Sequence, residues 1–365
     1  MTDQAARPRK QEQEEASEEI VELAPGVLRS QLPISMPGLG HVNCYLLEDD
    51  RGVAVVDPGL PTKDSYVALE SRLKSAGYPL QRVHTVIITH SHPDHFGGAA
   101  WLRAKTGADI VTHRSFRLMW DPTDPPDVDV EDAHHGLRPG QVDDEPPLPH
   151  VRRFPWESTP WGGPGMKMPL KRKMSFRAMR ALPRLRKMPV PTVRLEEADT
   201  ISLARRDWIA VHTPGHTDDH LCLFDPVEGC MLCGDHVLPT ITPHIGGGGL
   251  TRDPLGVFFD SLDKVASYGP QVKIALPAHG QPFADLAGRA NDIKVHHAGR
   301  LEKLRTTSAE LGRPASVMEM STHLFSPRAQ GSMADSETFA HLEHLRLGGE
   351  MERRNSHGVL EYVLR

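Results

Sequence analysis

Hydrophobic residues in the first third of the chain fall into short runs that alternate with helical stretches. β-branched runs bounded by Pro or Gly predict strands at residues 27–32, 42–47, 53–57, 83–88 and 109–113. Apolar residues spaced three or four apart predict helices at 63–76 and 99–104. The first third therefore predicts one sheet with helices packed on it.

Strand-like runs and a helical stretch follow one another again after residue 193. Strand-like runs occur at residues 200–203, 208–211, 221–224, 231–233 and 272–276. A helical pattern covers residues 255–268. Two rounds of strands and helices predict an α/β fold, specifically an αββα sandwich with polar residues along one edge of both sheets.

Breaks in this pattern divide the chain. Residues 1–19 are rich in charged residues and predict a disordered tail before a sandwich domain at 20–290. Within the sandwich, residues 121–191 lose regular patterning and form a predicted insertion, in which residues 151–190 contain eleven Lys or Arg and one acidic residue. Residues 291–365 turn helical and end in a strand-like run, which predicts a small winged-helix-like domain.

Composition narrows the class of protein. The chain of 365 residues is 38% hydrophobic and 25% charged, as in ordinary globular proteins, and its net charge of −6 gives no general argument for nucleic-acid binding. Four cysteines do not make a disulfide framework at this length and favour a reducing compartment. We expect a cytoplasmic protein, because no stretch of about 18 apolar residues predicts a membrane span.

The densest candidate chemistry follows the strand at 83–88. His90, His92, Asp94 and His95 lie within six residues. Imidazole nitrogen and carboxylate oxygen are the usual non-thiolate ligands of zinc-type metals. The alternative, a histidine-rich surface turn, does not explain why further candidates follow later strands, namely His216, Asp235 and His279.

This ordered set, His90-x-His92-x-Asp94-His95 followed by His216, Asp235 and His279, resembles the metallo-β-lactamase superfamily over roughly residues 20–290. The resemblance implies two divalent metal ions. Zinc is the expected metal, although iron and manganese suit the same ligands. The implied first-metal ligands are His90, His92 and His216, and the implied second-metal ligands are Asp94, His95 and His279. Asp235 is implied to bridge the metals.

Two further roles come from the same resemblance. Asp57, in Val55-Val56-Asp57-Pro58-Gly59, is implied to lie behind the metals and orient a ligand histidine. Asp94 is also a candidate catalytic residue, because its carboxylate could hold a nucleophilic hydroxide that bridges the metals. The C-terminal region is most similar to the β-lactamase-like-protein-2 branch, whose relatives include an endoribonuclease and thioesterases.

Two functions compete at this point. The first is hydrolysis of an ester, thioester or lactone, in a small-molecule substrate that is free or linked to CoA or an acyl carrier, with the insertion as a lid. The second is metal-dependent cleavage of single-stranded RNA along the same basic insertion. We favour the first, because the insertion has few aromatic residues and the chain is acidic overall. A third interpretation makes the insertion the arm of a homodimer.

Other residues near the motif have simpler interpretations. His220 and His236 adjoin ligands and are expected to support them or lie at the surface. His244 is expected to be a solvated loop residue, with substrate contact as the alternative. Cys230-x-x-Cys233 has zinc-like spacing, but its apolar strand favours buried thiols. His134-His135 and His296-His297 are expected to be surface or helix-packing residues.

Overall fold

The computed structural model describes residues 10–36, 38–118, 141, 159–162, 168–181, 188–247 and 251–365. Among these residues, no helix is both long enough and apolar enough to cross a membrane.

The first sheet has seven strands in chain order. They are β1 (Val21–Ala24), β2 (Val27–Met36), β3 (Leu39–Asp49), β4 (Gly52–Val56), β5 (Val83–Ile87), β6 (Asp109–His113) and β7 (Val193–Leu195). The first four strands pair antiparallel, whereas β4 to β7 run parallel. Helix α1 (Lys63–Ser75) connects β4 to β5, and helices α2 (Pro93–Phe96) and α3 (Ala99–Thr106) connect β5 to β6.

Among its described residues, the predicted insertion contains a helix that its pattern did not predict. Helix α4 (Leu170–Ala181) follows Pro169 and consists largely of Lys, Arg, Met and Ala, which are good helix formers. Residues 159–162 reach the C-terminal region, where Trp161 is buried and its carbonyl accepts a hydrogen bond from the Leu360 amide at 2.9 Å. Much of the insertion, including His134, His135 and six of the eleven Lys or Arg in its basic run, lies outside the described residues.

The second sheet has five strands in the order β12-β11-β10-β9-β8. They are β8 (Thr200–Leu203), β9 (Arg206–His212), β10 (Leu221–Asp225), β11 (Cys230–Gly234) and β12 (Ile274–Pro277). Helix α5 (Pro254–Ser267) precedes β12 and packs on this sheet; its N-cap Asp253 accepts a hydrogen bond from the Gly256 amide.

Alternating side chains build three hydrophobic layers. Val53 and Val55 of β4 face α1 and α3, whereas Ala54 and Val56 face the second sheet. In β10, Leu221 and Leu223 meet the first sheet while Cys222 and Phe224 pack under α5. Successive strand residues point to opposite faces, and both faces are covered, so these strands are apolar throughout. The predicted αββα sandwich is confirmed.

The N-terminal segment differs from the predicted tail. Residues 1–9 lie outside the described residues, but Gln11–Gln13 form a 3-10 turn and Glu12 is fully buried. The Glu12 carboxylate accepts hydrogen bonds from the amides of Thr240 and Ile241 at 3.1 and 3.2 Å. Composition suggested disorder because it does not reveal that one carboxylate would find amide donors on a distant loop.

The C-terminal region contains three helices and a small sheet. They are α6 (Leu286–Leu311), β13 (Ala315–Ser316), α7 (Val317–Leu324), α8 (Ser332–Leu347), β14 (Met351–Ser356) and β15 (Val359–Leu364). β14 and β15 form an antiparallel hairpin, and β13 pairs with the other edge of β15. Its helices share a hydrophobic cluster with α5 and the second sheet. The winged-helix-like assignment and the boundary at residue 290 stay predictions.

Candidate metal centre

The candidate ligands lie where strands of both sheets end. The segment after β5 carries His90 and His92, and the single turn α2 carries Asp94 and His95. The three remaining candidates, His216, Asp235 and His279, follow β9, β11 and β12. The structure brings all seven residues to one edge of the sandwich, and we call this group the metal centre.

Three imidazoles form the first half of this centre. His92 Nδ1 lies 3.0 Å from His90 Nε2 and 3.1 Å from His216 Nε2. The Asp235 carboxylate adjoins them, with Oδ2 at 3.6 Å from His216 Nε2 and 3.9 Å from His90 Nε2. One atom from each of these four residues lies within 4.8 Å of the others, which is a spacing that could hold a metal ion.

The second half combines Asp94, His95 and His279. Asp94 Oδ2 lies 3.5 Å from the Nε2 atoms of both histidines. Asp235 also faces this half, because its Oδ2 is 3.6 Å from His95 Nε2 and its Oδ1 is 3.4 Å from His279 Nε2. Asp235 thus lies between the two groups, as expected of a bridging carboxylate.

Asp57 orients residues of the motif by accepting hydrogen bonds from them. Its Oδ2 accepts a hydrogen bond from His95 Nδ1 at 2.9 Å and one from the Thr89 hydroxyl at 2.8 Å. Because Thr89 donates to Asp57, its oxygen can accept from His90 Nδ1, 3.0 Å away. These bonds place protons on the outer ring nitrogens and leave the Nε2 lone pairs of His90 and His95 facing the centre.

Backbone carbonyls orient two further ligands in the same way. His216 Nδ1 lies 2.7 Å from the His244 carbonyl, and His279 Nδ1 lies 2.7 Å from the His41 carbonyl. A proton on each Nδ1 directs the Nε2 lone pair into the centre. His92 differs, since its Nδ1 faces the other ligands.

His220 supports Asp235 rather than joining the ligands. Its Nε2 accepts a hydrogen bond from the Asp235 amide at 3.0 Å, and its Nδ1 pairs with the Thr213 hydroxyl at 2.7 Å. A Cβ atom at Gly234 would come within 2.5 Å of His220 Nε2, and Gly234 has φ +49°, so this position favours glycine on both counts.

Buried atoms without partners test whether metal ions suit this centre. Among the described residues, His95 Nε2, His279 Nε2 and Asp235 Oδ1 are buried and lack a hydrogen-bond partner. Such groups are costly unless something satisfies them. All three point toward the other candidate ligands at 3.4–3.6 Å. The donor set, five imidazoles and two carboxylates, fits divalent ions of zinc type.

Electrostatics supports the same interpretation. Burial and the neighbouring His216 ring lower the pKa of His92 to about 3, so its lone pair is available at neutral pH. Burial also lowers the pKa of His95, but the surrounding aspartates outweigh it and raise that pKa well above its ordinary value. The carboxylates therefore attract positive charge, which a bound cation would provide.

The structure also shows where the cysteines and several other histidines noted in the sequence lie. Cys230 and Cys233, with the other two cysteines, are free and buried, as their apolar surroundings predicted. His236 is buried beside Phe258, with ring centroids 5.1 Å apart, and is not among the grouped ligands. His297 is buried in the C-terminal region, whereas the adjacent His296 is exposed.

Sequence reasoning missed the carbonyls of His41 and His244. Backbone carbonyls carry no residue signature, so nothing in the sequence distinguishes these two from others. The Thr89 hydroxyl had a weak signal, because it lies directly before the first ligand.

Comparison with known proteins agrees with this geometry. A family model described as the metallo-beta-lactamase superfamily matches residues 37–279. A metallo-beta-lactamase family protein from Thermus thermophilus is 28% identical with a TM-score of 0.68, over 94% of this chain and 100% of that chain. A beta-lactamase domain protein from Burkholderia ambifaria is 26% identical with a TM-score of 0.70, over 96% of this chain and 95% of that chain.

Three of the curated relatives match over shorter segments. The lactamase-like protein nscB of Arthroderma benhamiae is 36% identical over 91 residues, 25% of this chain and 19% of the relative. A hydroxyacylglutathione hydrolase of Albidiferax ferrireducens is 40% identical over 77 residues, 21% of this chain and 27% of the relative. An atrochrysone carboxyl ACP thioesterase of Aspergillus aculeatus is 34% identical over 119 residues, 33% of this chain and 34% of the relative.

The chain thus spans about a fifth to a third of the length of these curated relatives. The family model, in contrast, covers the motif, strands β3 to β7 of the first sheet, the whole second sheet and all seven candidate ligands. The chain belongs to the metallo-beta-lactamase superfamily.

Proposed function

We propose that this chain is a two-metal hydrolase that cleaves an ester, thioester or lactone in a small-molecule or acyl-carrier-linked substrate. The observation that carries the proposal is the position of Asp235, whose carboxylate faces both groups of ligand atoms. Its Oδ2 lies 3.6 Å from both His216 Nε2 and His95 Nε2, and its Oδ1 lies 3.4 Å from His279 Nε2. A carboxylate placed between two such groups suits a pair of cations, because its charge offsets their repulsion.

The roles of the ligands follow from their contacts. His90, His92 and His216 would hold one ion and Asp94, His95 and His279 the other. When bound, a pair of divalent ions supplies a hydroxide nucleophile at neutral pH and offsets the charge that develops on the substrate oxygen. Zinc is the proposed metal.

Asp94 has a second proposed role. Burial raises the pKa of this carboxyl, but His95 and His279 outweigh burial and hold the pKa well below its usual range. Asp94 therefore stays ionised at neutral pH and can accept a hydrogen bond that orients the nucleophile.

The substrate class is supported by relatives and by the insertion. Two relatives are named as a hydroxyacylglutathione hydrolase and an ACP thioesterase. Helix α4 of the insertion places Lys171, Arg172 and Arg177 in exposed positions, together with Leu170 and Met174. Cationic side chains could hold the phosphate of CoA or of a carrier, while Leu170 and Met174 could contact the acyl chain.

The test is turnover by purified protein whose metal content has been measured. The substrates are acyl-CoA thioesters, aryl esters, lactones and a labelled single-stranded RNA. We expect metal-dependent cleavage of at least one carbonyl substrate and intact RNA. RNA cleavage without turnover of any carbonyl substrate would contradict the proposal.

Two variants probe the second ion. Asp94→Ala and His279→Ala should abolish turnover while the protein remains folded by circular dichroism. His323→Ala is the matched control, because His323 lies exposed on α7 and should be replaceable without loss. Full turnover in both ligand variants would show that the second ion is not required.

A further inference from the structure

The loop after β11 orients a metal ligand through its backbone. We call residues 238–247 the His244 loop, since the His244 carbonyl accepts the hydrogen bond from His216 Nδ1 at 2.7 Å. If this carbonyl moved, the His216 ring would lose the bond that keeps its Nε2 lone pair facing the centre. The position of the loop therefore affects a proposed first-metal ligand.

Helix α8 of the C-terminal region fixes this loop at two points. Glu337 Oε2 lies 3.4 Å from His244 Nδ1. The same residue, His244, orients His216 through its backbone carbonyl. Three residues on, the Gly247 amide lies 3.2 Å from both the carbonyl and the hydroxyl of Ser336. A Cβ atom at Gly247 would lie 2.4 Å from the Phe339 ring, so the loop backbone approaches α8 closely.

Glu337 is itself held in place. It is 7% exposed, and Arg300 of α6 forms an ion pair with its Oε1. Burial raises the pKa of Glu337, but the His244 contact and Arg300 outweigh burial and lower it to about 2. The carboxylate is thus ionised and fixed between α6 and the His244 loop.

The same carboxylate belongs to a group that could in principle hold a metal ion. His297, Glu337 and His341, which with Arg300 we call the α8 cluster, each offer one atom within 4.8 Å of the others. However, His341 Nδ1 donates to the Glu337 carbonyl at 2.7 Å, and His297 Nδ1 lies 3.0 Å from His341 Nε2. Arg300 already balances the Glu337 charge, so these contacts do not require an ion, although His297 Nε2 is buried without a hydrogen-bond partner in the part of the chain that the structure describes.

We propose that Glu337 is a positioning residue for the metal centre, which fixes His244 so that its carbonyl orients His216. This inference rests on the proposed metal site. It predicts that the C-terminal region sets zinc affinity at the centre although it supplies none of the seven candidate ligands.

The experiment measures zinc affinity by competition with a chromophoric chelator, without substrate. Glu337→Gln and His244→Ala should each weaken the first zinc site about tenfold, the lower end of the loss when a group behind a metal ligand is removed. The double variant should be no weaker than either single variant, because both changes interrupt one path. Since His244 lies in a loop, His244→Ala tests the idea even if Glu337→Gln folds poorly.

Glu343→Gln is the matched control. Glu343 lies on the same helix, is 5% exposed and contacts Arg346, Arg353 and the Tyr362 hydroxyl. Glu343→Gln should lower the thermal midpoint without changing zinc affinity, which separates positioning from general destabilisation. Affinities are compared at a temperature where every variant is folded.

The possible outcomes are distinct. Unchanged zinc affinity in folded Glu337→Gln and His244→Ala, or fully additive losses, would overturn the positioning role. A wild-type protein that binds three zinc ions and a Glu337→Gln variant that binds two would also overturn it, because the third ion would then lie in the α8 cluster. A wild-type protein that does not bind two zinc ions would instead contradict the proposed metal site.

Discussion

The metal centre and the α8 cluster are both buried groups of histidines and carboxylates, and they have similar internal distances. A pair of imidazole nitrogens lies 3.0 Å apart in each, between His90 and His92 and between His297 and His341. The difference is in the remaining contacts. Arg300 pairs with Glu337 and a helix carbonyl accepts from His341, so His297 Nε2 is the one atom of the α8 cluster that is buried without a hydrogen-bond partner among the described residues. The metal centre has three such atoms, His95 Nε2, His279 Nε2 and Asp235 Oδ1, and a shared carboxylate.

This comparison shows that ligand spacing alone does not identify a metal site. A buried imidazole pair is stable without metal when one ring donates to the other and the second ring donates onward. Three imidazole nitrogens that converge on one point cannot all find hydrogen-bond partners in this way. Hydrogen-bond accounting separates the two cases where geometry does not.

The largest expected effect follows removal of the shared charge. Asp235→Asn keeps the shape of the side chain but leaves two cations with less negative charge between them. We expect kcat/KM to fall about 10²–10³-fold, similar to the loss of one preorganised electrostatic group. Steady-state kinetics would measure it, with Asp207→Asn on the exposed side of β9 as control. Equal turnover in the two variants would contradict the bridging role.

Zinc should stabilise the metal-free protein. If the folded centre binds zinc as proposed and the unfolded chain does not, a free zinc concentration 100 times the dissociation constant should raise the free energy of unfolding by about 2.7 kcal/mol per site. Urea denaturation with and without chelator measures this increment. A His297→Leu variant should show the same increment, and a reduced one would place an ion in the α8 cluster.

Asp57→Asn tests whether the Asp57 carboxylate orients His95 and Thr89 by hydrogen bonds. His95 would lose a charged hydrogen-bond partner, and we expect zinc affinity to fall about 10–100-fold. Asn suits this position because Asp57 has φ +54°, a conformation that Asn tolerates. Chelator competition measures the affinity. An unchanged zinc affinity would mean that Thr89 and the chain alone orient the ligands.

The smallest effects are expected in the α8 cluster. His341→Leu should cost about 1–3 kcal/mol of stability, because His297 Nδ1 loses its acceptor. Replacing both histidines by Leu should recover most of this cost, since no buried donor is left unpaired. Urea denaturation compares the variants. A double variant that is less stable than the single one would contradict the hydrogen-bonded interpretation.

The sequence predicted the sandwich because both strand faces are buried and the runs are strongly apolar. It predicted the motif because four candidate ligands are nearly consecutive, and the later ligands because each follows a strand. β14 was missed, since Met351–Ser356 is mostly polar and buries only Met351 and Arg353.

Other features depend on long-range contacts that no local pattern reveals. Glu12 lies in a charged segment that resembles a solvated tail, yet it is buried against a loop more than 200 residues later. Glu337 looks like one acidic residue on an ordinary helix, and only the folded chain brings it to His244. Helix α4 was missed because Pro169 and Pro183 flank it and its charges resemble those of the surrounding insertion.

The insertion leaves the first sheet at β6 and returns at β7, which pairs parallel with β6 from Val111↔Val193 to His113↔Leu195. The two ends of the insertion are thus fixed by a strand pair that contains none of the seven candidate ligands. Over evolutionary time, this segment can therefore be lengthened, shortened or exchanged while the catalytic edge is inherited unchanged, a route by which related enzymes could diverge in what they accept.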